Sequence, residues 1–230
     1  MIPLSDSNPP GRTPVVNRLL LLVNLVVWLY TFSLSRDPAA LEAFYTRYAF
    51  DWTAFTGALA SGNPTPELLA TPITHLFLHG GWLHVIGNML YLWIFGDNVE
   101  DRLGSARYLL FYLLCGIAAA AGQGLIAPAP MVGASGAVAG VLGAYLFLFP
   151  GSRVRTLIFL GLFITIVQLP AIVVIGLWLV VQVISGLAEL RMAEAEAASQ
   201  VAFFAHVVGF FAGILLLAVI RPTARRTRVR

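Results

Sequence analysis

The stretch GASGAVAGVLGAYLFLF, residues 133–149, decides the class of fold because it is apolar almost throughout and ends at a Pro-Gly-Ser break. Such a block suits a helix that crosses a bilayer, because a helix satisfies its backbone polar groups internally. Five other apolar blocks accompany it. We therefore predict an all-α polytopic membrane protein with six transmembrane helices, at Val15–Ser35, His79–Phe95, Tyr108–Gln123, Ser135–Phe149, Ala171–Leu187 and Val201–Ile220.

The overall composition excludes a soluble protein. Hydrophobic residues make up 59% of the 230 residues and charged residues only 11%, whereas soluble domains carry about 25% charged residues. All 14 basic residues are arginines, and they flank the apolar blocks instead of forming one patch, so nucleic-acid binding is not predicted. The single cysteine, Cys115, has no partner for a disulfide and is expected to be a small hydrophobic residue.

The positions of the arginines predict the orientation in the membrane. With six spans, eleven arginines fall on the side of the two termini and three on the opposite side. Because cytoplasmic loops carry the excess of basic residues, both termini are predicted to be cytoplasmic, in a bacterial inner (cell) membrane. The predicted domains are a disordered cytoplasmic arm at 1–14, the six-helix domain at 15–220 and an arginine-rich cytoplasmic tail at 221–230.

Two segments between the spans are not simple linkers. Residues 36–71 carry six aromatic side chains among several prolines and glycines, which indicates a loop that lies partly in the membrane surface. Residues 154–169 are apolar but join the fifth span only through Pro170, without the polar turn that a seventh span would need. We interpret this second segment as interfacial or re-entrant.

Two polar side chains within the spans are the strongest catalytic candidates. Ser135 begins the fourth span after a run of prolines and glycines, and a helix N-terminus favours developing negative charge. His206 lies in the sixth span. Glycines often serve only to pack helices. Here, however, glycines recur near both candidates and would let the two backbones approach closely. They are Gly136, Gly140, Gly143, Gly209 and Gly213.

His84 and Asn88 lie one turn apart on one face of the second span. An imidazole and a carboxamide both donate hydrogen bonds without net charge, which suits an oxyanion, although they could equally bond to neighbouring helices. No metal or cofactor is predicted, because His75, His79 and His84 have no acidic or thiol ligand nearby and no His-Glu-x-x-His string occurs. The spans also lack the two carboxylates of an aspartyl intramembrane protease.

Four strings occur in a specific order: HGGWLHVIGN (79–88), GDNVEDRLG (96–104), GASG (133–136) and AHVVGFFAG (205–213). Together they resemble the rhomboid family of intramembrane serine proteases. They are similar, in turn, to its His-x-x-x-Asn region, its turn between helices two and three, its nucleophile motif and its last-helix histidine motif. Each string alone is loose, whereas the set is specific, and the resemblance extends over residues 15–220.

The resemblance implies a rhomboid-like fold and a Ser–His dyad without a carboxylate. It implies Ser135 as the nucleophile and His206 as general base and acid. The implied oxyanion hole and supporting positions are His84, Asn88, the Ser135 backbone N–H, Gly133, Gly136 and Gly209. The implied partners are single-span transmembrane substrates within the lipid bilayer, and the oligomeric state is left open.

Two positions depart from the family's pattern. Ala139 stands where members usually carry an aromatic residue that stacks on the catalytic histidine, so either another group holds His206 or its orientation is looser. The first loop also lacks the Trp-Arg pair often found there, although Trp52 is present.

Two other functions compete with proteolysis. A non-proteolytic rhomboid-like protein would bind transmembrane helices, but such relatives characteristically lose the serine or the histidine, and this chain has both. A small transporter would show internal repeats or midplane charges, and the sequence has neither. Proteolysis is therefore the favoured prediction.

Overall fold

The structure of the protein, a computed structural model, describes residues 1–160, 163–192, 202–220 and 222. Helices form most of this part of the chain, and one small antiparallel sheet accompanies them. The helices are α1 (Val15–Leu34), α2 (Pro38–Tyr48), α3 (Trp52–Ala60), α4 (Pro66–Thr74), α5 (Trp82–Leu103), α6 (Ser105–Ile126), α7 (Ser135–Leu148), α8 (Ala171–Met192) and α9 (Phe203–Val219). The strands are β1 (Ile2–Asp6), β2 (Arg153–Leu160) and β3 (Phe163–Pro170).

Each predicted span overlaps one helix of the structure. By length and composition α1, α6 and α8 can cross a membrane, at Val15–Leu34, Ser105–Ile126 and Ala171–Ala188, while α7 and α9 are shorter apolar helices. The chain is thus an integral membrane protein. Six spans remain a prediction, because α5, α7 and α9 do not meet the same measure of length and hydropathy within the described residues.

The helix α5 is longer than the sequence predicts. The sequence predicts that the second span ends at Phe95, but the helix continues to Leu103 and is followed by Gly104, whose φ is +78°. A β-carbon at Gly96 would overlap the side chain of Asn17 and lie 2.7 Å from the hydroxyl oxygen of Tyr108. Glycine therefore serves close packing here, at a helix-propensity cost of about 1 kcal/mol.

A buried asparagine joins the first three long helices. The Asn17 side chain on α1 donates a hydrogen bond to the carbonyl of Leu92 on α5 (3.0 Å). It accepts one from the hydroxyl of Tyr108 on α6 (2.8 Å). Because these groups are buried away from water, each polar atom needs a partner in the protein, and these hydrogen bonds supply it.

Glu100 of α5 caps α1 from outside its own helix. Its carboxylate accepts hydrogen bonds from the backbone N–H groups of Val16 (3.1 Å) and Asn17 (2.7 Å) and from the hydroxyl of Ser105 (2.6 Å). The first N–H groups of a helix have no partner within the helix, and a negative charge at that end is stabilising. Glu100 thus fixes the start of α1 against the end of α5.

The aromatic-rich segment after α1 contains three short helices, α2 to α4. Asp37, Asp51 and Thr65 are their N-caps, and each side chain accepts a hydrogen bond from the N–H three residues ahead (3.1, 2.9 and 3.2 Å). These caps satisfy the exposed N-termini of the short helices. The location of this segment in the membrane surface stays a prediction.

The prediction of an all-α fold with an interfacial segment at 154–169 differs from the structure. Strands β2 and β3 pair as an antiparallel hairpin, with Arg153 opposite Pro170 and Leu160 opposite Phe163. Strand β1 pairs with the outer side of β2, so residues 2–6 are not part of a disordered arm. The segment is rich in valine, isoleucine and threonine, which favour strands, and pairing satisfies its backbone groups.

A polar cluster attaches the N-terminal strand to two long helices. Asp6 accepts hydrogen bonds from the hydroxyl of Tyr145 on α7 (2.5 Å) and from the amide of Asn98 on α5 (3.0 Å). The amide of Asn8 donates to the hydroxyl oxygen of Tyr145 (3.0 Å) and to that of Ser152. The N-terminal segment therefore links the C-terminal parts of α5 and α7. His84 and Ser135 lie at the N-terminal ends of the same two helices.

Replacing Glu100 by alanine is expected to lower thermal stability, because three donors lose a buried charged acceptor. Hydrogen bonds to charged groups contribute about 1.5–3 kcal/mol each. The unfolding midpoint in detergent should therefore fall by on the order of 5 °C or more. Glu42→Ala, at an exposed position on α2, is the control and should leave the midpoint unchanged. Equal midpoints for the two variants would refute the capping role.

Candidate active site

The loop before α7 is held by the region that precedes α5. Phe50 exchanges two backbone hydrogen bonds with Met131 of this loop (3.1 and 2.9 Å). Further along, the N–H of Gly133 donates to the carbonyl of His75 (2.9 Å). These bonds fix the path of the chain into Ser135, the first residue of α7.

Gly133 brings this loop against His84 of α5. Its φ of +127° lies in the region that favours glycine. A β-carbon at this position would lie only 2.6 Å from Nε2 of His84 and 3.6 Å from Oγ of Ser135. The imidazole of His84 and the hydroxyl of Ser135 therefore both lie beside Gly133.

Helices α7 and α9 pack backbone to backbone at the same end. A β-carbon at Gly209 would overlap the carbonyl oxygen of Gly136, and a second glycine pair repeats this contact one turn further along. The carbonyl oxygen of Ala205 lies 3.6 Å from where a β-carbon of Gly136 would be. Since Gly136 follows Ser135 and Ala205 precedes His206, this contact places the two candidate residues on neighbouring helix ends.

The imidazole of His206 is held by residues of α8. Its Nδ1 lies 2.6 Å from Oε1 of Gln182. An amide oxygen only accepts, so this contact requires the hydrogen on Nδ1, and in a neutral imidazole Nε2 is then the free acceptor. The ring of Trp178 packs against the imidazole with centroids 5.8 Å apart, and Phe203 meets it edge-on at 6.5 Å. These neutral groups fix the ring where Ala139 offers no aromatic side chain.

A second buried carboxamide fixes the start of α9. Oε1 of Gln123 on α6 accepts a hydrogen bond from the N–H of Ala205 (3.1 Å), and its Nε2 donates to the carbonyl of Ala127 (2.9 Å). The N–H of Ala205 belongs to the first turn of α9, where no intrahelical acceptor exists. Gln123 thus positions the backbone directly before His206.

Two possible hydrogen bonds of the site are not formed in the part of the chain that the structure describes. In the described part of the chain the buried side-chain amide of Asn88 has no acceptor. Nor does any hydrogen bond there join the hydroxyl of Ser135 to His206. Such contacts commonly tighten only when a substrate is bound. A buried donor without a partner costs about 1–3 kcal/mol, so a bound acceptor would relieve that cost.

The structure brings Gly133, Ser135 and His84 together and places His206 at the adjacent helix end. Asn88 lies one turn beyond His84 on α5. Gln182 and Gln123 were not among the candidates from the sequence, although a polar side chain inside an apolar span is the signal that could have found them. The catalytic roles of the candidate residues stay predictions.

Comparisons with known proteins agree with the resemblance in sequence. The Rhomboid domain model matches residues 67–223 of the chain. The putative rhomboid protease YdcA of Bacillus subtilis (strain 168) is 35% identical over 137 residues, which cover 59% of this chain and 62% of that protein. The rhomboid protease GluP of the same organism is 42% identical over 81 residues, or 35% of this chain and 16% of that protein.

A third relative is the rhomboid protease GlpG of Yersinia pestis (strain Pestoides F). It is 33% identical over 71 residues, which cover 31% of this chain and 26% of that protein. In all three cases the match spans less than two thirds of the relative's length.

Fold and site together define a helical integral membrane protein in which one serine and two histidines lie at neighbouring helix ends. The matching domain covers more than half of the chain. The chain belongs to the rhomboid family.

Replacing Gly209 by alanine is expected to separate α7 from α9, because the added methyl group would overlap a backbone oxygen that cannot move independently. Overpacking of this kind costs about 1–3 kcal/mol. The matched control is Gly176→Ala on α8, where the methyl group meets nothing within 4 Å. The control should keep or slightly raise the unfolding midpoint, since alanine is the better helix former. A midpoint for Gly209→Ala as high as that of the control would contradict the contact.

Proposed function

We propose that the protein is an intramembrane serine endopeptidase that cleaves transmembrane segments with a Ser135–His206 dyad. The observation that carries the proposal is the backbone contact between α7 and α9, which involves the residues next to Ser135 and His206. Membership of the rhomboid family and the three relatives named as rhomboid proteases support it.

The dyad can work without a carboxylate because Gln182 orients the imidazole of His206 in place of one. With Nδ1 donating to Gln182, the free Nε2 of His206 can accept the proton of the Ser135 hydroxyl as that oxygen attacks the scissile carbonyl. The resulting imidazolium then protonates the leaving amine. A water molecule, activated by the same nitrogen, hydrolyses the acyl-enzyme.

The oxyanion of each tetrahedral intermediate needs donors that are already in place. We assign this role to the backbone N–H of Ser135, the side chain of His84 and the side-chain amide of Asn88. The unpartnered amide of Asn88 and the position of His84 beside Gly133 support the assignment. All three donors are uncharged, which suits a site surrounded by apolar helices.

The membrane topology belongs to the same proposal. Six helices, α1 and α5 to α9, would cross the bilayer, with both termini in the cytoplasm, as the eleven-to-three division of arginines indicates. The six-helix domain then covers residues 15–220, between the N-terminal segment and the arginine-rich tail. The bacterial origin of the relatives supports the inner membrane of a bacterium.

This topology predicts the class of substrate. Ser135 would lie near the non-cytoplasmic side, where water can enter for hydrolysis. A single-span protein whose helix unwinds easily at small residues would expose its scissile carbonyl there, whereas an intact helix hides that group in its own hydrogen bonds.

Labelling with a fluorophosphonate probe tests the dyad. The folded wild-type protein should be labelled, and Ser135→Ala and His206→Ala should both lose labelling, because the hydroxyl reacts only when the imidazole takes its proton. Ser61→Ala, at an exposed position after α3, is the control and should be labelled like wild type. Labelling that persists in Ser135→Ala would refute the assignment. A folded but unlabelled wild type would instead favour a non-proteolytic protein that binds transmembrane helices.

The positioning role of Gln182 gives a separate prediction. Gln182→Met keeps a similar length but removes the acceptor for Nδ1 of His206, so kcat on a transmembrane substrate should fall by about tenfold or more. KM should change little, because the proposed role of Gln182 is to orient His206 and not to bind the substrate. Gln168→Met, exposed on β3, is the matched control and should keep full activity. An unchanged kcat in a Gln182→Met protein that folds normally would show that the ring is oriented without this bond.

A further inference from the structure

A groove between α1 and α5 lies outside the candidate active site. Its cavity volume is about 390 Å³, and ten side chains of these two helices line it. Nine of the ten are aliphatic or aromatic residues. Leu25 and Ile86, which are among them, remain about half exposed. The groove therefore opens sideways from the protein, towards the position of the bilayer.

The two ends of the groove differ in chemistry. At one end Trp28 of α1 and Trp82 of α5 meet edge-to-face with ring centroids 5.3 Å apart, and Phe32 packs on Trp82 at the same distance. At the other end Arg18 and Trp93 line the groove. Arginines flank the apolar part of a transmembrane helix, so the Arg18 end of the groove is the one expected at the level of the lipid headgroups.

The length of the groove matches one leaflet of a bilayer. Arg18 and Trp28 are ten residues apart on α1, a distance of about 15 Å at 1.5 Å per residue. The hydrocarbon core of a bilayer is about 30 Å thick, so one leaflet contributes about 15 Å. A lipid chain that starts at the level of Arg18 would end near the aromatic cluster.

Among the residues that the structure describes, Arg18 is the only charged one that lines the groove. Arg18 is exposed and forms no ion pair within the described residues. A guanidinium group offers several donors in a planar arrangement that suits a phosphate. The groove thus combines an apolar trough with an arginine that forms no ion pair with a described residue at the headgroup end.

A transmembrane helix is a poorer occupant than a lipid. The cytoplasmic ends of transmembrane segments carry an excess of lysine and arginine, which Arg18 would repel. The same argument applies to a second copy of this chain, whose own Arg12 and Arg18 lie at that end. An anionic lipid of the cytoplasmic leaflet has the opposite charge.

We propose that the groove between α1 and α5 binds an anionic phospholipid, with one acyl chain in the trough and the phosphate paired with Arg18. The site takes a lipid from the leaflet that faces the N-terminus. It does not depend on proteolysis, since Ser135 and His206 play no part in it.

The test measures lipid binding to the purified, delipidated full-length protein by native mass spectrometry. The probes are phosphatidylglycerol and phosphatidylcholine with identical acyl chains. The wild-type protein should bind phosphatidylglycerol more tightly, and Arg18→Gln should weaken that binding by about fivefold, as expected for one arginine near an anionic surface. Arg36→Gln, just beyond the other end of α1, is the matched control and should bind like wild type.

A second pair of variants tests the trough itself. Leu25→Trp fills it and should weaken the binding of both lipids, while Leu19→Trp, exposed on α1 outside the groove, should not. Equal affinity of Arg18→Gln and wild type for phosphatidylglycerol, or undiminished binding to Leu25→Trp, would overturn the proposal.

A photo-crosslinker at Ile86 should capture lipid in membranes. Capture of a protein segment in place of lipid would also overturn the proposal and identify the groove as a docking site for a helix.

Discussion

The structure depends on the direct contact between the backbones of α7 and α9. In lipid there is little hydrophobic force to hold two helices together, so close van der Waals packing must supply the attraction. Gly136 and Gly209 allow that approach, and the second pair, Gly140 and Gly213, extends it by a turn. Cys115 of α6 packs under Gly140, which explains a small hydrophobic residue at that position. The relative position of Ser135 and His206 follows from this contact.

Uncharged side chains orient His206 inside the helix bundle. Gln182 and Gln123 hold His206 and the backbone before it with hydrogen bonds, and Trp178 covers the ring. A charged partner buried among these apolar helices would carry the cost of desolvating its charge. The carboxamide of Gln182 therefore orients the imidazole and selects its tautomer without the cost of desolvating a carboxylate.

Charged groups act instead at the ends of the helices. Glu100 binds the first N–H groups of α1, and Asp6 joins Tyr145 of α7 to Asn98 of α5. The helices that Asp6 connects also carry Ser135 and His84 near their opposite ends. The N-terminal strand and its hairpin thus support the same two helices that form the candidate site.

The sequence by itself determined the helical membrane class, the presence of α1 and α5 to α9, and the candidate serine and histidines. Length of apolar blocks, glycine spacing and rare polar residues are local properties, so they can be read along the chain. Only the tertiary structure decided that residues 2–6 and 153–170 form a sheet, because strand pairing depends on a partner far away in sequence. It also decided that α5 continues past Gly96 and that Gln182 and Trp178 hold His206 in place of an aromatic residue at Ala139. Each of these depends on which side chains meet across helices, and the spacing within one helix does not contain that information.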